Sequence, residues 1–159
     1  GTCIVVAAVE RQGRKIGRIR LQVVGDCSAD SLNAFINQNI ETGSYVVTDG
    51  WKGYNPMDPD RYDHHQIFLS KNKDRYSCLS GVHLIASLVK RLIIGTFQGR
   101  FDPKYLQPYL DEYVFRFNRR KSRNIGKKFM RIVEQVASSA KITCKQIKNG
   151  IQADLLLQN

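Results

Sequence analysis

The sequence lacks closely spaced cysteines. Its four cysteines, Cys3, Cys27, Cys78 and Cys144, form no CxxC pair and have no neighbouring histidine at metal-ligand spacing. This distribution argues against a zinc site and against a disulfide framework. We therefore expect reduced thiols and a cytoplasmic protein.

A long uninterrupted apolar run is also missing. No such run approaches the roughly 18 residues of a membrane-spanning helix, so we expect no membrane partner. The residues that follow Gly1 show neither a basic leader nor a small-residue cleavage site. Because the sequence opens on a strand-like segment without an initiator methionine, we expect it to be part of a longer protein.

Acidic residues are scarce. Lys and Arg total 25 against 14 Asp and Glu, which gives a formal net charge of +11. This balance favours a polyanionic partner such as nucleic acid. One stretch has no acidic residue, and its cations are Arg116, Arg119, Arg120, Lys121, Arg123, Lys127, Lys128 and Arg131. A solvated helix face is the ordinary interpretation, but this many cations exceed what solubility needs, so we predict contacts with DNA phosphates.

Two segments near the N-terminus predict a β-hairpin. Residues 3–9 and 18–24 are rich in residues with high strand propensity and are separated by a glycine-containing turn. The second segment alternates polar and apolar positions. We therefore expect one wet face that carries Arg18, Arg20 and Gln22.

The next residues predict one helix and two short strands. Asp26 and Ser28 are candidate caps of an amphipathic helix. An apolar strand is predicted at residues 45–48. A weak strand at residues 66–69 lies in a segment that is otherwise rich in loop signals.

Helical patterns dominate the rest of the sequence, at residues 82–94, 103–118 and about 125–140. Pro108 is awkward inside the second of these helices, and a kink or a late helix start would accommodate it. The order of elements predicts an α/β protein in which helices flank a mixed sheet.

Three residues are candidates for catalysis. Asp49 directly follows a predicted strand, and ligands of α/β proteins bind at the carboxyl ends of strands. An ordinary turn aspartate is the alternative. His83 and Lys90 are seven positions apart on one predicted helix and share a face with Ser87. Structural or solvated side chains are the alternative for this pair.

Four segments occur in a characteristic order: GRIRLQVV, TDGWKGY, LIASLVKR and YVFRFNRR. With them, over about residues 3–135, the chain resembles the DDE-type insertion-sequence transposases of the ISXO type. The resemblance implies an RNase H-like domain at residues 1–135 and a helical or flexible tail at 136–159. It also implies cleavage and joining of DNA strands with Mg²⁺ or Mn²⁺, by a homo-oligomer that binds transposon ends and target DNA.

The resemblance further implies a catalytic set. Asp49 matches the second aspartate of the family, His83 stands where the family carries Glu, Asn or His, and Lys90 matches the trailing lysine. Asp49 and His83 are thereby the implied metal ligands. Mg²⁺ prefers oxygen donors whereas imidazole suits softer ions, so His83 either binds metal or positions water or phosphate.

The first aspartate of the family has no match here, because it lies on a strand before the one that corresponds to residues 3–9. Glu10 and Asp26 are weak substitutes, since Glu10 adjoins a turn and Asp26 is a candidate helix cap. That strand is central in the family's sheet, so its loss would expose backbone edges. We expect the chain alone to be inactive and marginally stable, with an RNase H-like core that lacks its first strand.

Other functions fit the same residues. A non-catalytic nucleic-acid-binding module, or the remnant of a decayed transposase, would use the basic stretch and leave Asp49 as a turn residue. An RNase H-like nuclease outside transposition would share the fold and the metal chemistry. Trp51 and Tyr54 are candidates for stacking on a splayed base, with packing as the alternative.

Overall fold

The computed structural model describes residues 3–68, 76–98, 102–139, 141 and 143–148 of the 159-residue chain. The chain divides into two units, residues 1–100 and residues 101–159. The described part of the first unit contains the strands β1 (Ile4–Gln12), β2 (Lys15–Val24), β3 (Tyr45–Asp49) and β4 (Asp63–Ile67) and the helices α1 (Ala29–Asn39) and α2 (Tyr76–Phe97). The described part of the second unit contains the helices α3 (Leu106–Asn118), α4 (Ile125–Ser138) and α5 (Cys144–Lys148).

The predicted antiparallel hairpin is confirmed by β1 and β2. Its register runs from Ile4 opposite Val24 to Gln12 opposite Lys15. Both strands are longer than predicted because they continue to the turn at Gly13. The φ of Gly13 is +61°, a left-handed conformation that glycine adopts without steric penalty.

Helices contact both faces of this hairpin. On one face, Val6 packs in a hydrophobic cluster with Leu32 of α1. On the other face, an added Cβ at Gly81 of α2 would lie 3.3 Å from the side chain of Val9. Alternate strand residues point to opposite faces, so Val6 and Val9 belong to different layers of packing.

The face of β2 that we expected to be wet is partly covered. Arg18 is exposed, but Arg20 and Gln22 are half-buried. Asn39 of α1 donates a hydrogen bond from Nδ2 to Gln22 Oε1 at 3.3 Å. The expectation was wrong at this end of the strand, because α1 covers polar side chains there and supplies a hydrogen-bonding partner.

The predicted caps begin α1. Ser28 Oγ accepts a hydrogen bond from the backbone N–H of Ser31 at 3.3 Å. Asp26 Oδ1 accepts from the backbone N–H of Ser28 at 2.9 Å and from Ser31 Oγ at 2.8 Å. These contacts satisfy donors that the first helical turn leaves without an intrahelical partner. Asp26 therefore has a structural role.

β3 and β4 pair in parallel, from Tyr45 opposite Asp63 to Asp49 opposite Ile67. The first of these strands agrees with its prediction to within one residue. The weak strand that we predicted at residues 66–69 begins earlier, at Asp63, and ends at Ile67, while the end of the predicted segment lies outside the described residues. Its sequence DHHQI is too polar to show strand periodicity.

The strands form two separate two-stranded sheets within the described residues, β1–β2 and β3–β4. The single mixed sheet that we expected is therefore not seen there. Sequence patterns locate strands, but strand order depends on contacts between distant segments. The α/β class is confirmed, whereas the RNase H-like arrangement stays a prediction.

α2 is longer than the helix predicted at residues 82–94, and it buries Ile85 and Val89. Its segment Cys78–Phe97, with 20 residues and a mean hydropathy of 1.5, is long and apolar enough to span a membrane. This segment is not an uninterrupted apolar run, because Ser, His, Lys and Arg occur within it. Core helices pass the same test, although only 17% of this segment is buried. The absence of a membrane partner stays a prediction.

A capped turn begins the described part of the second unit. Asp102 Oδ1 accepts a hydrogen bond from the backbone N–H of Lys104 at 3.2 Å, at the 3₁₀ turn Pro103–Tyr105. α3 begins at Leu106, so Pro108 falls in its first turn, where a missing N–H costs little. The predicted late start is confirmed.

The C-terminal helices agree with the predicted pattern. α4 covers most of the helix predicted at residues 125–140, and α5 lies in the segment 136–159 that we predicted to be helical or flexible. The predicted domain boundary after residue 135 falls inside α4. The division of the chain into functional domains stays a prediction.

Candidate active site and candidate nucleic-acid interface

Asp49 is the last residue of β3, at the carboxyl end of the parallel strand pair. Its side chain is exposed, and Oδ1 accepts a hydrogen bond from the backbone N–H of Trp51 at 3.2 Å. This is an Asx turn, which sets the direction of the carboxylate. Within the part of the chain that the structure describes, Oδ2 accepts no hydrogen bond, so this oxygen can face a cation or water.

A hydrogen bond joins the two strands one residue before Asp49. Thr48 Oγ1 lies 2.8 Å from His64 Nε2 and donates to the backbone carbonyl of Asp49 at 3.0 Å. Because a hydroxyl has one proton, His64 Nε2–H is then the donor in the other bond. Burial lowers the pKa of His64, and the neighbouring His65 lowers it further. The network therefore favours a neutral imidazole protonated at Nε2.

The Trp51 indole is held at its polar edge. Its Nε1–H donates to the backbone carbonyl of Cys27 at 3.1 Å. An added Cβ at Gly53 would lie 2.8 Å from Trp51 Nε1, so the glycine lets the backbone approach the ring. Even so, 54% of Trp51 is exposed. Packing thus explains one edge of the ring and leaves much of its surface open.

Gly50 turns the chain against the ring of Phe68. An added Cβ at Gly50 would lie 2.6 Å from Phe68 Cδ1. Phe68 follows β4 and is 57% exposed. The glycine after Asp49 therefore serves a close packing contact as well as a turn.

Tyr54 closes the 3₁₀ turn Lys52–Tyr54 and packs against the hydrophobic cluster of the first unit. Burial raises the pKa of Tyr54, and the charges of Asp49 and Cys27 raise it further. Of the two aromatic residues proposed for base stacking, Tyr54 is the one that packing largely explains.

The exposed face of α2 carries His83, Ser87 and Lys90. Ile85 and Val89, which lie between them in sequence, are buried on the other side of the helix. This agrees with the shared face that the sequence predicted. α2 also contacts β3, the strand that ends in the candidate aspartate.

Among the described residues, no three side chains of His, Cys, Asp or Glu are grouped so that they could hold a metal ion. A third such ligand therefore does not complete the implied pair of Asp49 and His83 there, and the convergence of these two residues stays a prediction. Mg²⁺ is commonly held by one or two carboxylates together with water and substrate phosphates. Asp49 fits such an ion as one ligand of an incomplete set.

The two weak substitutes for the first aspartate are engaged in local structure. Glu10 Oε2 accepts from the backbone N–H of Arg18 at 2.8 Å, and Glu10 Oε1 accepts from Gln12 Nε2 at 3.0 Å. Hydrogen bonds from Ser28 and then Ser31 lower the pKa of Asp26. Glu10 thus stabilises the hairpin at the irregular register of β1, and Asp26 stabilises the start of α1.

Glutamates just outside the basic stretch pair with both of its ends. Arg116 forms an ion pair with Glu112, one helical turn earlier, and Arg131 pairs with Glu134 at 3.1 Å. Both glutamates lie outside the acid-free stretch that the sequence shows, although their i,i+4 and i,i+3 spacing from the arginines is typical of such pairs. These two arginines are consequently weaker candidates for DNA contact than predicted.

Two arginines of the stretch stack on phenylalanine rings. The guanidinium of Arg119 lies 3.8 Å from the ring centroid of Phe115, and that of Arg120 lies 3.9 Å from the centroid of Phe117. Each arginine also donates to the carbonyl of the same phenylalanine, at 3.4 Å and 2.9 Å. The rings position the cations without removing their charge.

The remaining predicted DNA-binding cations flank the start of α4. Asn124 Oδ1 accepts from the backbone N–H of Lys127 at 3.0 Å and caps the helix. For Lys121, Arg123, Lys127 and Lys128, no ion pair is seen in the described residues. These exposed or half-buried cations are therefore the best candidates for phosphate contact.

α4 has a second surface that the sequence analysis missed. None of its residues is buried, and large apolar side chains recur at helical spacing. The exposed residues of this apolar stripe are Ile125, Phe129, Ile132, Val133 and Val136. The helical periodicity of these apolar residues is present in the sequence, interleaved with the cations for which we predict DNA contact.

Asp111 in α3 is another group that the sequence analysis missed. Burial raises the pKa of Asp111, while a hydrogen bond from Gln107 Nε2, 2.7 Å long, lowers it. A half-buried carboxylate on the helix YLDEY has no local sequence signal, because burial of that position depends on packing.

These features define an α/β protein with an exposed carboxylate at the end of a parallel strand and a cationic segment between two helices. The model of the ISXO2-like transposase domain family matches residues 1–118. The chain therefore belongs to this transposase family, and the predicted resemblance is confirmed. Comparisons with curated proteins and with solved structures give no match.

Proposed function

We propose that this protein is the catalytic domain of a DNA transposase that cleaves and joins DNA strands with the help of a divalent metal during insertion-sequence transposition. The family match over residues 1–118 carries the proposal. The position of Asp49 supports it, because an exposed carboxylate at the end of a parallel strand can meet a phosphate and its cation.

Three residues act in the proposed reaction. Asp49 would hold Mg²⁺ or Mn²⁺ through the oxygen that the Asx turn leaves open. Such an ion, when bound, neutralises charge on the phosphate and activates an oxygen nucleophile. Lys90 contacts phosphate, and His83 supplies a second ligand or positions water. Substitution His83→Glu separates these two roles, because a carboxylate ligand would shift the preferred ion from Mn²⁺ towards Mg²⁺.

Activity requires a further carboxylate beside Asp49, and we propose that the chain alone does not cleave DNA. The support is that no group of three metal-binding side chains occurs in the described residues. Glu10 and Asp26 do not fill this role, since hydrogen bonds engage both of them locally.

The DNA-binding surface lies in the basic stretch, at Arg119, Arg120, Lys121, Arg123, Lys127 and Lys128. The support is their high density of positive charge together with the lack of ion pairs for the last four in the described residues. Because DNA is the proposed partner, we also propose a cytoplasmic location.

The apolar stripe of α4 supports the further proposal of a homo-oligomer on DNA. The cations of α4 lie in its first half, whereas Glu134 lies in its second half. Antiparallel pairing of two copies would place the cationic half of one helix beside Glu134 and the negative dipole end of the other. Parallel pairing would place the cations of the two helices side by side, and these cations would repel one another.

The contact is expected to be weak without DNA. A 14-residue helix is about 21 Å long, too short to bury the roughly 800 Å² per partner of a stable complex. Light scattering should show a mass increase that DNA strengthens and that Phe129→Ser with Val136→Ser abolishes, whereas Ser138→Ala, on the opposite side of α4, should leave it unchanged. A protein that stays monomeric on bound DNA would overturn the α4 contact.

A second function, DNA binding without cleavage, is favoured by the missing group of three metal ligands in the described residues. Strand cleavage separates the two. The chain, together with any residues that its gene encodes before Gly1, should nick and join its transposon-end DNA in Mg²⁺ or Mn²⁺. Asp49→Asn should abolish both steps, and Asp63→Asn, at the other end of the same strand pair, should not. Unchanged cleavage by Asp49→Asn would overturn the proposed site.

A further inference from the structure

Two aromatic side chains remain exposed at the carboxyl end of the β3–β4 pair. Trp51 is 54% exposed and Phe68 is 57% exposed. They are neighbours of the same short turn, because Trp51 follows Gly50 and the ring of Phe68 packs on Gly50. Asp49, the candidate catalytic carboxylate, immediately precedes this turn.

The indole of Trp51 is preorganised. Its ring N–H is bound to the carbonyl of Cys27, and its backbone N–H is bound to Asp49 Oδ1. The close approach of Gly53 further restricts the ring. Stacking of a flat ligand on a ring that is already held in place costs less side-chain entropy than stacking on a ring that binding must first order. These contacts leave more than half of the tryptophan open to solvent.

The neighbouring charges restrict the chemistry of the ligand. The Asp49 carboxylate repels an anionic ring, whereas a neutral aromatic heterocycle can lie on the indole and phenyl rings without an electrostatic penalty. In a protein that acts on DNA, that heterocycle is a nucleobase. Both faces of a base inside a duplex are covered by its stacked neighbours, and a terminal pair exposes only its outer face, so an unpaired base reaches these rings most readily.

We propose that Trp51 and Phe68 form a stacking site for an unpaired nucleobase beside the phosphate that Asp49 addresses. The proposal rests on the proposed transposase function. It makes Trp51 and Phe68 residues that position DNA and select a strand with a locally unpaired base over intact duplex.

Trp51 is the only tryptophan in the chain, so its fluorescence reports this site alone. The full chain is titrated with a single-stranded oligonucleotide, with the matched duplex, and with that duplex carrying one unpaired terminal base. Binding is followed in parallel by the anisotropy of labelled DNA. Trp51 emission should be quenched by the single strand and by the unpaired end, and much less by blunt duplex that is bound to the same extent.

Variants separate stacking from general affinity. Base stacking on an aromatic ring is strong enough that Trp51→Leu should weaken binding of the unpaired substrate at least about fivefold relative to blunt duplex. Phe68→Leu should act in the same direction, and Trp51→Phe should retain part of the preference. Tyr45→Leu is the matched control, because Tyr45 is 62% exposed at the opposite end of β3.

The outcomes distinguish the stacking site from the proposed function. DNA binding without quenching, or equal losses for unpaired and blunt substrates in Trp51→Leu, would overturn the stacking site and leave the DNA-acting function intact. Absence of DNA binding by the unsubstituted chain would count against the proposed function itself. Equal effects of Tyr45→Leu and Trp51→Leu would show that the effect is common to exposed aromatic residues, and would overturn the specific stacking site.

Discussion

Besides burial, the negative charge of Asp49 contributes to the raised pKa of Tyr54, five residues further along the chain. Burial raises the pKa of Tyr54 above its ordinary value of 10.0, and the negative charge of Asp49 raises it further. The two residues bracket the turn that carries Trp51. Tyr54 is thus a reporter of the charge at the candidate active site.

Asp49→Asn should lower the pKa of Tyr54, because the amide removes a neighbouring negative charge. The pKa should stay above 10.0, since burial is the larger cause. NMR of ring-labelled tyrosine, with Tyr54→Phe to assign the signal, measures the change. Asp63→Asn should have no such effect, because Asp63 lies opposite Tyr45, and the rise along β3 from Tyr45 to Asp49 separates the strand ends by about 13 Å. Equal shifts in both variants would contradict local coupling.

The pH dependence of stability should report His64. Burial, and then His65, hold the pKa of His64 below its ordinary value of 6.5 in the folded chain, so the unfolded chain takes up this proton more readily. The free energy of unfolding should therefore decrease as the pH falls below about 6.5 and through the folded-state pKa. Urea unfolding across this range should show a smaller decrease for His64→Gln.

His65→Gln is the comparison for that experiment. It removes only the smaller of the two causes that lower the pKa of His64, so most of the pH dependence should remain. Thr48→Val should destabilise the fold by about 1–3 kcal/mol, because it removes the hydroxyl partner of both His64 and a backbone carbonyl. A flat pH profile in the unsubstituted chain would contradict the role assigned to His64.

The contribution of Asp111 to the pH dependence of stability should have the opposite sign to that of His64. Burial holds its pKa above the ordinary value of 3.8 in the folded chain, so the folded state binds this proton more tightly. Its contribution to stability is present at low pH and is lost as the pH rises from about 3.8 through the folded-state pKa. Asp111→Asn should remove this loss in urea unfolding. Gln107→Ala should enlarge it, because it deletes the hydrogen bond that stabilises the charged form.

Gly53→Ala should disturb Trp51. The added methyl group would lie 2.8 Å from both Trp51 Nε1 and Leu32 Cδ1, so the indole ring and the side chain of Leu32 must shift. Overpacking of this kind costs about 1–3 kcal/mol, and the tryptophan emission should move to longer wavelength as the bond to Cys27 breaks. Gly25→Ala is the control, since an added Cβ there meets no atom within 4 Å. Unchanged emission in Gly53→Ala would contradict the anchoring.

The salt dependence of DNA binding should separate two classes of cation. Each phosphate contact contributes about 0.9 to the slope of log affinity against log salt concentration. Lys121→Gln with Arg123→Gln should therefore lower the slope by up to about two. Arg131→Gln should lower it less, because Glu134 already pairs with this arginine. A slope that responds equally to all three positions would indicate a diffuse field without defined contacts.

Local sequence signals were sufficient for several parts of this protein. Strand propensity and a glycine turn predicted the hairpin, and the side chain of Ser28 predicted the start of α1. The place of Asp49 at the end of a strand was predictable because a short apolar run ends there, while its catalytic role stays a prediction. The order of the motifs also predicted the family, which the match over residues 1–118 confirms. These features depend on the preferences of neighbouring residues, so a single sequence contains them.

Long-range relationships required the tertiary structure. The predicted position of β4 was wrong because its polar sequence has no strand periodicity. The hydrogen bond between Thr48 and His64 could not be predicted without the parallel register of β3 and β4. The bond from Trp51 to Cys27 joins residues 24 positions apart. The separation of β1–β2 from β3–β4 in the described residues likewise depends on which strands pair. Such contacts depend on which distant segments pack together, and the hydropathy of a segment does not specify its partner because many partners bury the same apolar face equally well.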